Sequence, residues 1–154
     1  MAAERPDLVL AIGGAARSGS AMFPDLQALA ARLGDRVRFL GFVSEEDKLA
    51  LYRHAELFAY PSLYEGFGLN PLEALACGCP VVSSDASCLP EIVGDAGLLV
   101  DARSPDALAN GMLQVLRLPE PWREKGPAQA AKFSWQRMAD ETAAIYRQVL
   151  DTCD

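Results

Sequence analysis

ELFAYPSLYEGFGLNPLEALACGCPVVSSD, residues Glu56–Asp85, decides the fold and marks where chemistry can occur. ELFAY (Glu56–Tyr60) reads as an apolar strand, Pro71–Cys77 as a helix stopped by Gly78, and Pro80–Ser84 as the next strand. Between the first two lies EGFGLNPLE, which sets Glu65 and Glu73 eight residues apart across a Gly-rich bend. Such a bend lets backbone amides approach a phosphate, and the helix N-terminus adds N–H donors and partial positive charge. Two carboxylates repel phosphate, but each accepts hydrogen bonds from a vicinal diol. A phosphate flanked by diols is the layout of a nucleoside-diphosphate sugar, ribose at one end and hexose at the other.

The helix start has two readings. Asn70 suits the N-cap and Pro71 the first helical position, which leaves the N–H groups of Leu72 and Glu73 free. Asn70-x-x-Glu73 also fits a capping box, in which Glu73 only reaches back to the backbone of Asn70. A structural turn needs neither two glycines nor a second acid beside Phe67, so Glu65, Gly66, Phe67 and Gly68 favour ligand binding. Phe67 is expected to contribute its backbone, because a glycine on each side frees the amides.

Working outward, strand and helix alternate. LVLAIGG (Leu8–Gly14) is a continuous apolar run of the kind buried on both faces of a parallel sheet. Pro24–Leu33 is a helix with Gly34 as its stop, and Val37–Val43 is the second strand. Ser44, with Asp47 three residues on, caps a helix that ends at His54. Leu89–Val93 makes a short helical turn and Gly97–Val100 the fifth strand. Ser104-Pro105 starts a helix to Leu116. Pro119, Pro121 and Pro127 break the pattern, and Ser134 caps a final helix, Trp135–Leu150. This alternation predicts an α/β fold, a doubly wound parallel sheet of about five strands, in one domain spanning 1–154.

The Glu-x7-Glu pattern, with AxxxGxPVVSSDASCLPEIVGDAGLLV after it, resembles the donor-binding domain of family 4 retaining glycosyltransferases of the GT-B class. The similarity covers most of the chain, through LVLAIGG, RVRFLGFV (Arg36–Val43), YPSLYEGFG and FSW (Phe133–Trp135). Glu-x7-Glu alone is weakly specific; the ordered set of segments is highly specific. The resemblance implies transfer of a sugar from a nucleoside-diphosphate sugar with retention. Glu65 would face the transferred sugar as the catalytic carboxylate, and Glu73 would hold the ribose diol. Gly66, Phe67, Gly68, Leu69 and Asn70 would line the donor loop, and Val43 would lie beside the nucleobase. No cofactor or metal is expected, since GT-B enzymes offset leaving-group charge with helix dipoles and basic side chains.

The chain departs from that family at its start. By the resemblance it is expected to begin one strand and one helix later, without the loop whose Arg and Lys hold the donor diphosphate, and without the N-terminal domain that binds a carbohydrate or lipid acceptor. Arg17 follows the first strand but in a different loop, while Lys48 lies near a position where the family places a base on the nucleotide-contacting helix. If the family's strand order is 3-2-1-4-5-6, removing strand 1 and closing the gap gives the flavodoxin-like order 2-1-3-4-5. Isolated, the chain is expected to bind nucleotide weakly and to transfer no sugar. The alternative is a non-catalytic nucleotide-sugar-binding or fold-remnant module, and an epimerase on the same scaffold is a third reading.

Composition narrows the partners. Net charge is −7 with no cluster of Lys and Arg, which argues against nucleic acid or an anionic membrane surface. No run approaches a membrane span and Met1–Asp7 lacks a signal-peptide core, so a cytoplasmic protein is expected. Cys77, Cys79, Cys88 and Cys153 lack the spacing of a metal knuckle and read as free thiols in a reducing compartment. GGAARSG (Gly13–Gly19) is neither a dinucleotide fingerprint nor a P-loop.

Overall fold

The structure, a computed structural model, describes residues 5–14 and 26–152, with backbone only at Gln27 and Leu29. Arg17, most of the Gly13–Gly19 loop, the Pro24 helix start and Cys153 lie outside the described residues. The chain forms two units, Met1–Leu51 and Tyr52–Asp154.

In the first unit, β1 (Leu10–Gly13) pairs in parallel with β2 (Val37–Gly41). Helix α1 (Leu26–Ala31) and a 3-10 turn at Gly34–Arg36 lie between them in sequence. The apolar run at β1 is not buried on both faces as its composition suggested: Leu10 is 46% exposed. Its one ladder partner among the described residues is β2. Helix α2 (Glu45–His54) starts as expected, with the N–H of Asp47 donating to Ser44 Oγ at 3.1 Å. Lys48 is paired with Glu45 at 2.8 Å.

In the second unit, β3 (Phe58–Tyr60), β4 (Val81–Ser84) and β5 (Leu98–Val100) form a parallel sheet in that order. Every residue of β4 is buried, as a central strand with both faces covered must be. Around it lie α3 (Leu69–Ala76), α4 (Leu89–Val93), α5 (Pro105–Arg117), α6 (Glu120–Ala130) and α7 (Trp135–Asp151). Leu75, Val81, Val82, Leu89, Ile92, Val93 and Val115 make its core. Ser104 and Ser134 cap α5 and α7, accepting from the N–H groups of Ala107 and Arg137, each at 3.1 Å.

Two expectations are corrected. Among the described residues the strands form one two-stranded and one three-stranded sheet, and β1 does not pair with β3. The order 2-1-3-4-5 is therefore not formed. A ladder needs strands about 4.8 Å apart, and two sheet edges reach that spacing only if the helices covering their faces repack with them. The second correction is α6, a helix where three prolines suggested a break. Pro121 sits in its first turn, where no intrahelical N–H is required, and Pro127 is carried by packing around it. Gln129 is buried and donates from Nε2 to the carbonyl of Ile92 at 3.0 Å, and Gly126 lies against the backbone of Leu75.

That contact is testable. Alanine normally improves on glycine in a helix by about 1 kcal/mol. A Cβ at Gly126, however, would lie 2.7 Å from the carbonyl oxygen of Leu75, backbone that cannot rotate away. Gly126→Ala is expected to lower stability by about 1–3 kcal/mol in urea denaturation followed by circular dichroism. A variant as stable as the parent would contradict this packing.

Candidate functional site

The parallel register pairs Tyr60 with Ser83, so the loops that leave β3 and β4 emerge side by side at the C-terminal edge of the sheet. That edge is where ligands bind in open α/β sheets. The β3–α3 loop carries Glu65, Gly66, Phe67 and Gly68; the β4–α4 loop carries Asp85 to Cys88.

Glu65 is half-buried, and the Tyr60 hydroxyl donates to its Oε1 at 2.6 Å. A bond that short between a hydroxyl and an ionised carboxylate is a charge-assisted one. The Tyr60 bond first, then one from Ser62, hold the Glu65 pKa below its ordinary value of 4.5, against a small opposing effect of burial. The same arrangement raises the Tyr60 phenol, chiefly by burial and then by the Glu65 bond, while a side-chain bond with Asn70 works the other way. Tyr60 therefore joins Glu65 and Asn70 in one network.

Helix α3 begins earlier than its sequence suggested. Its N-cap is Gly68, with φ of 100° and no side-chain cap, so Asn70 is the second helical residue rather than the cap. Leu72 N–H already donates to Gly68 O at 3.3 Å, so it is not free. The backbone donors ahead of that first helical bond are Leu69 and Asn70, and Pro71 has none. Glu73 stands one turn further in, which rules out the capping box: the third helical position is Pro71. Glu73 shares the outer face of α3 with the exposed Leu69; it is half-buried and its Oε2 is shielded from solvent. Pro71, Ala74 and Leu75 take the inner face.

The glycines of the loop differ. Gly68 has a left-handed backbone, and a Cβ there would sit 3.0 Å from Leu89 Cδ2. Gly66 is exposed, lies outside the left-handed region, and a Cβ would meet nothing within 4 Å. The fold thus requires glycine at 68 and not at 66. Phe67 is 45% exposed, with its ring edge-on to Phe133 at a centroid distance of 6.0 Å. Its side chain is thereby engaged just before α7. In the first unit, Val43 is half-buried and follows β2, which ends at Gly41, two residues sooner than expected; the adjoining Phe42 is 92% exposed.

Tyr60, Ser62, Ser87 and Cys88 escaped the sequence reading. The position of Tyr60 at the end of a strand entering the loop was the available signal. Ser87 and Cys88 could have been found only from the adjacency of β3 and β4. Among the described residues, no group of three His, Cys, Asp or Glu side chains could hold a metal ion.

Residues 1–132 match the family model described as glycosyl transferases group 1. The chain belongs to this family. O-antigen chain mannosyltransferase B of Escherichia coli is 48% identical over 115 residues, covering 72% of this chain and 30% of that protein. A D-inositol 3-phosphate glycosyltransferase of Corynebacterium jeikeium is 39% identical over 149 residues, 92% of this chain and 35% of its own. Among solved structures, sucrose-phosphate synthase from Thermosynechococcus elongatus is similar with a TM-score of 0.74 at 34% identity, covering 94% of this chain and 39% of that one. HepE of Anabaena, solved in complex with UDP and glucose, gives 0.72 at 26% identity, covering 96% and 40%. This group 1 chain spans about a third of the length of those curated relatives.

The Tyr60 bond makes a prediction about charge. Because the folded-state pKa of Glu65 is lowered, ionisation contributes stability that is present above the unfolded value and is lost as pH falls through the folded one. Tyr60→Phe removes the largest cause, so the Glu65 pKa should rise toward 4.5 and the acid limb of stability should move up with it. Carboxyl 13C NMR titration reads this directly, and an unchanged Glu65 titration would contradict the geometry.

Proposed function

We propose that this chain is the donor-binding part of a family 4 retaining glycosyltransferase of the GT-B class, holding a nucleoside-diphosphate sugar for transfer to an acceptor. The observation that carries the proposal is the pairing of an ionised Glu65, bonded to Tyr60, with Gly66, whose missing side chain nothing among the described residues explains. A glycine free of internal constraint, beside the open start of a helix, suits close approach of a diphosphate to backbone. HepE of Anabaena, solved with UDP and glucose, supports the ligand class.

In this reading, Glu65 faces the transferred sugar and stabilises positive charge developing at its anomeric carbon. The amides of the 66–70 loop meet the diphosphate, and Glu73, on the same outer face as Leu69, holds the ribose diol. Val43, in the first unit, is proposed as a base contact on the resemblance alone. The acceptor, a carbohydrate or lipid, would be engaged by the part of the relatives' length that this chain does not span. The donor needs no metal in this scheme, because helix-start amides offset diphosphate charge. No helix among the described residues is long and apolar enough to cross a membrane. We place the reaction in the cytoplasm, where nucleotide sugars would be met. The 154-residue chain alone, which spans about a third of its curated relatives' length, should bind nucleotide at millimolar concentration and transfer no sugar, because a donor held without the rest of that length is poorly oriented for transfer.

Isothermal titration or ligand-observed NMR with UDP, GDP and ADP tests the assignment. Glu73→Gln removes a charge-assisted bond worth about 1.5–3 kcal/mol, so affinity for the preferred nucleotide should fall about tenfold or more. Gly66→Ala should weaken binding comparably while leaving the urea midpoint unchanged, because the added methyl meets no protein atom. Unchanged affinity in both variants would overturn the proposal.

A further inference from the structure

The Glu65–Gly68 loop is held from outside itself, by two consecutive residues of the β4–α4 loop. Ser87 has φ of 59°, a left-handed backbone that non-glycine residues rarely adopt. In that conformation its Oγ accepts from the N–H of Glu65 at 3.3 Å and donates to the carbonyl of Glu65 at 2.9 Å. The thiol of Cys88 donates to the carbonyl of Phe67 at 3.0 Å, and its sulfur lies 3.5 Å from the carbonyl oxygen of Glu65. Two adjacent side chains thus draw the carbonyls of residues 65 and 67 toward one place.

A planar trans peptide turns that attraction into an orientation. Within each peptide the C=O of one residue and the N–H of the next point in opposite directions, and no described peptide is cis. Drawing the carbonyls of Glu65 and Phe67 toward Ser87 and Cys88 therefore turns the N–H groups of Gly66 and Gly68 away from them. Two alternate amides aimed outward, followed by the Leu69 and Asn70 donors at the start of α3, form the kind of backbone concavity that binds anions.

We propose that Ser87 and Cys88 are positioning residues that aim the Gly66 and Gly68 amides at the diphosphate of the donor. They act through the loop and touch no reacting atom. The inference rests on the reading of this loop as the donor site, and deepens it by naming what gives the glycine backbone its direction. It also gives the strained serine at 87 a role: in its left-handed conformation Oγ reaches both polar groups of the Glu65 backbone.

The test compares nucleoside diphosphate with nucleoside monophosphate, because the two differ only in the second phosphate offered to the aimed amides. Ser87→Gly retains the left-handed backbone without strain and deletes Oγ. Cys88→Ala deletes the thiol, whereas Cys88→Ser keeps a donor in place. Dissociation constants for UDP and UMP, GDP and GMP, and ADP and AMP are measured by NMR titration, with thermal midpoints alongside. Ser87→Gly and Cys88→Ala should each weaken the preferred diphosphate about tenfold and shrink the diphosphate-to-monophosphate ratio, with Ser87→Gly losing no thermal stability. Cys88→Ser should restore the ratio. A ratio unchanged in both deletion variants overturns the positioning role while leaving the donor reading intact. If the parent chain shows no saturable shift with any of the three diphosphates, the donor reading fails, and this inference with it.

Discussion

Parallel pairing of β3 with β4 is the constraint on which the site depends. With Tyr60 opposite Ser83, the two following loops have no choice but to leave the same sheet edge together. One loop brings the acid and glycines, the other the groups that hold them. A short β3 suffices because β4 is buried along its whole length and is gripped on its other side by β5. The edge then inherits its rigidity from the core of the second unit, where Leu75, Leu89 and Ile92 are sealed from water. Gly68 couples that core to the site. Its left-handed turn swings the chain into α3 immediately after the loop, and its bare Cα lets Leu89 close against it.

Electrostatics follow from the same geometry. Tyr60 ends the strand pointing at the loop that begins five residues later, and its hydroxyl meets Glu65 at 2.6 Å. The bond favours the charged form of the carboxylate. Apolar partners of the phenol, Phe58 stacked at 5.7 Å and Tyr52 edge-on to Phe58 at 5.1 Å, anchor the ring side of that contact in the core. A polar bond and apolar packing meet in one residue.

Much of the fold was legible where local chemistry is self-sufficient. Ser44, Ser104 and Ser134 each announce a helix, because a side-chain cap needs only its own turn. Apart from α6, the element order was readable for the same reason. What escaped depends on neighbours remote in sequence. Prolines 121 and 127 argued for a break, yet α6 persists because Gly126 and Gln129 dock on α3 and α4. Asn70 looked like a cap, but the cap is Gly68, where a left-handed backbone and the approach of Leu89, some twenty residues on, both call for glycine. The division into two sheets was invisible, since an apolar strand does not declare how many edges it will pair. At the site, Glu65, the glycines and Glu73 could be nominated from spacing and kinship. Tyr60 stood at the end of a strand entering the loop, a signal that went unused; Ser87 and Cys88 could not be nominated, because their contacts exist only once β3 and β4 lie side by side.

The most direct test of the account is a 15N-HSQC titration of the chain with UDP, GDP and ADP. If the β3–α3 loop holds a nucleotide donor, the amide resonances of Gly66, Gly68, Leu69 and Asn70 should move progressively and saturate with at least one of the three, as a contiguous set on the second unit. Saturable shifts confined to other residues, with those four amides unmoved, would contradict it.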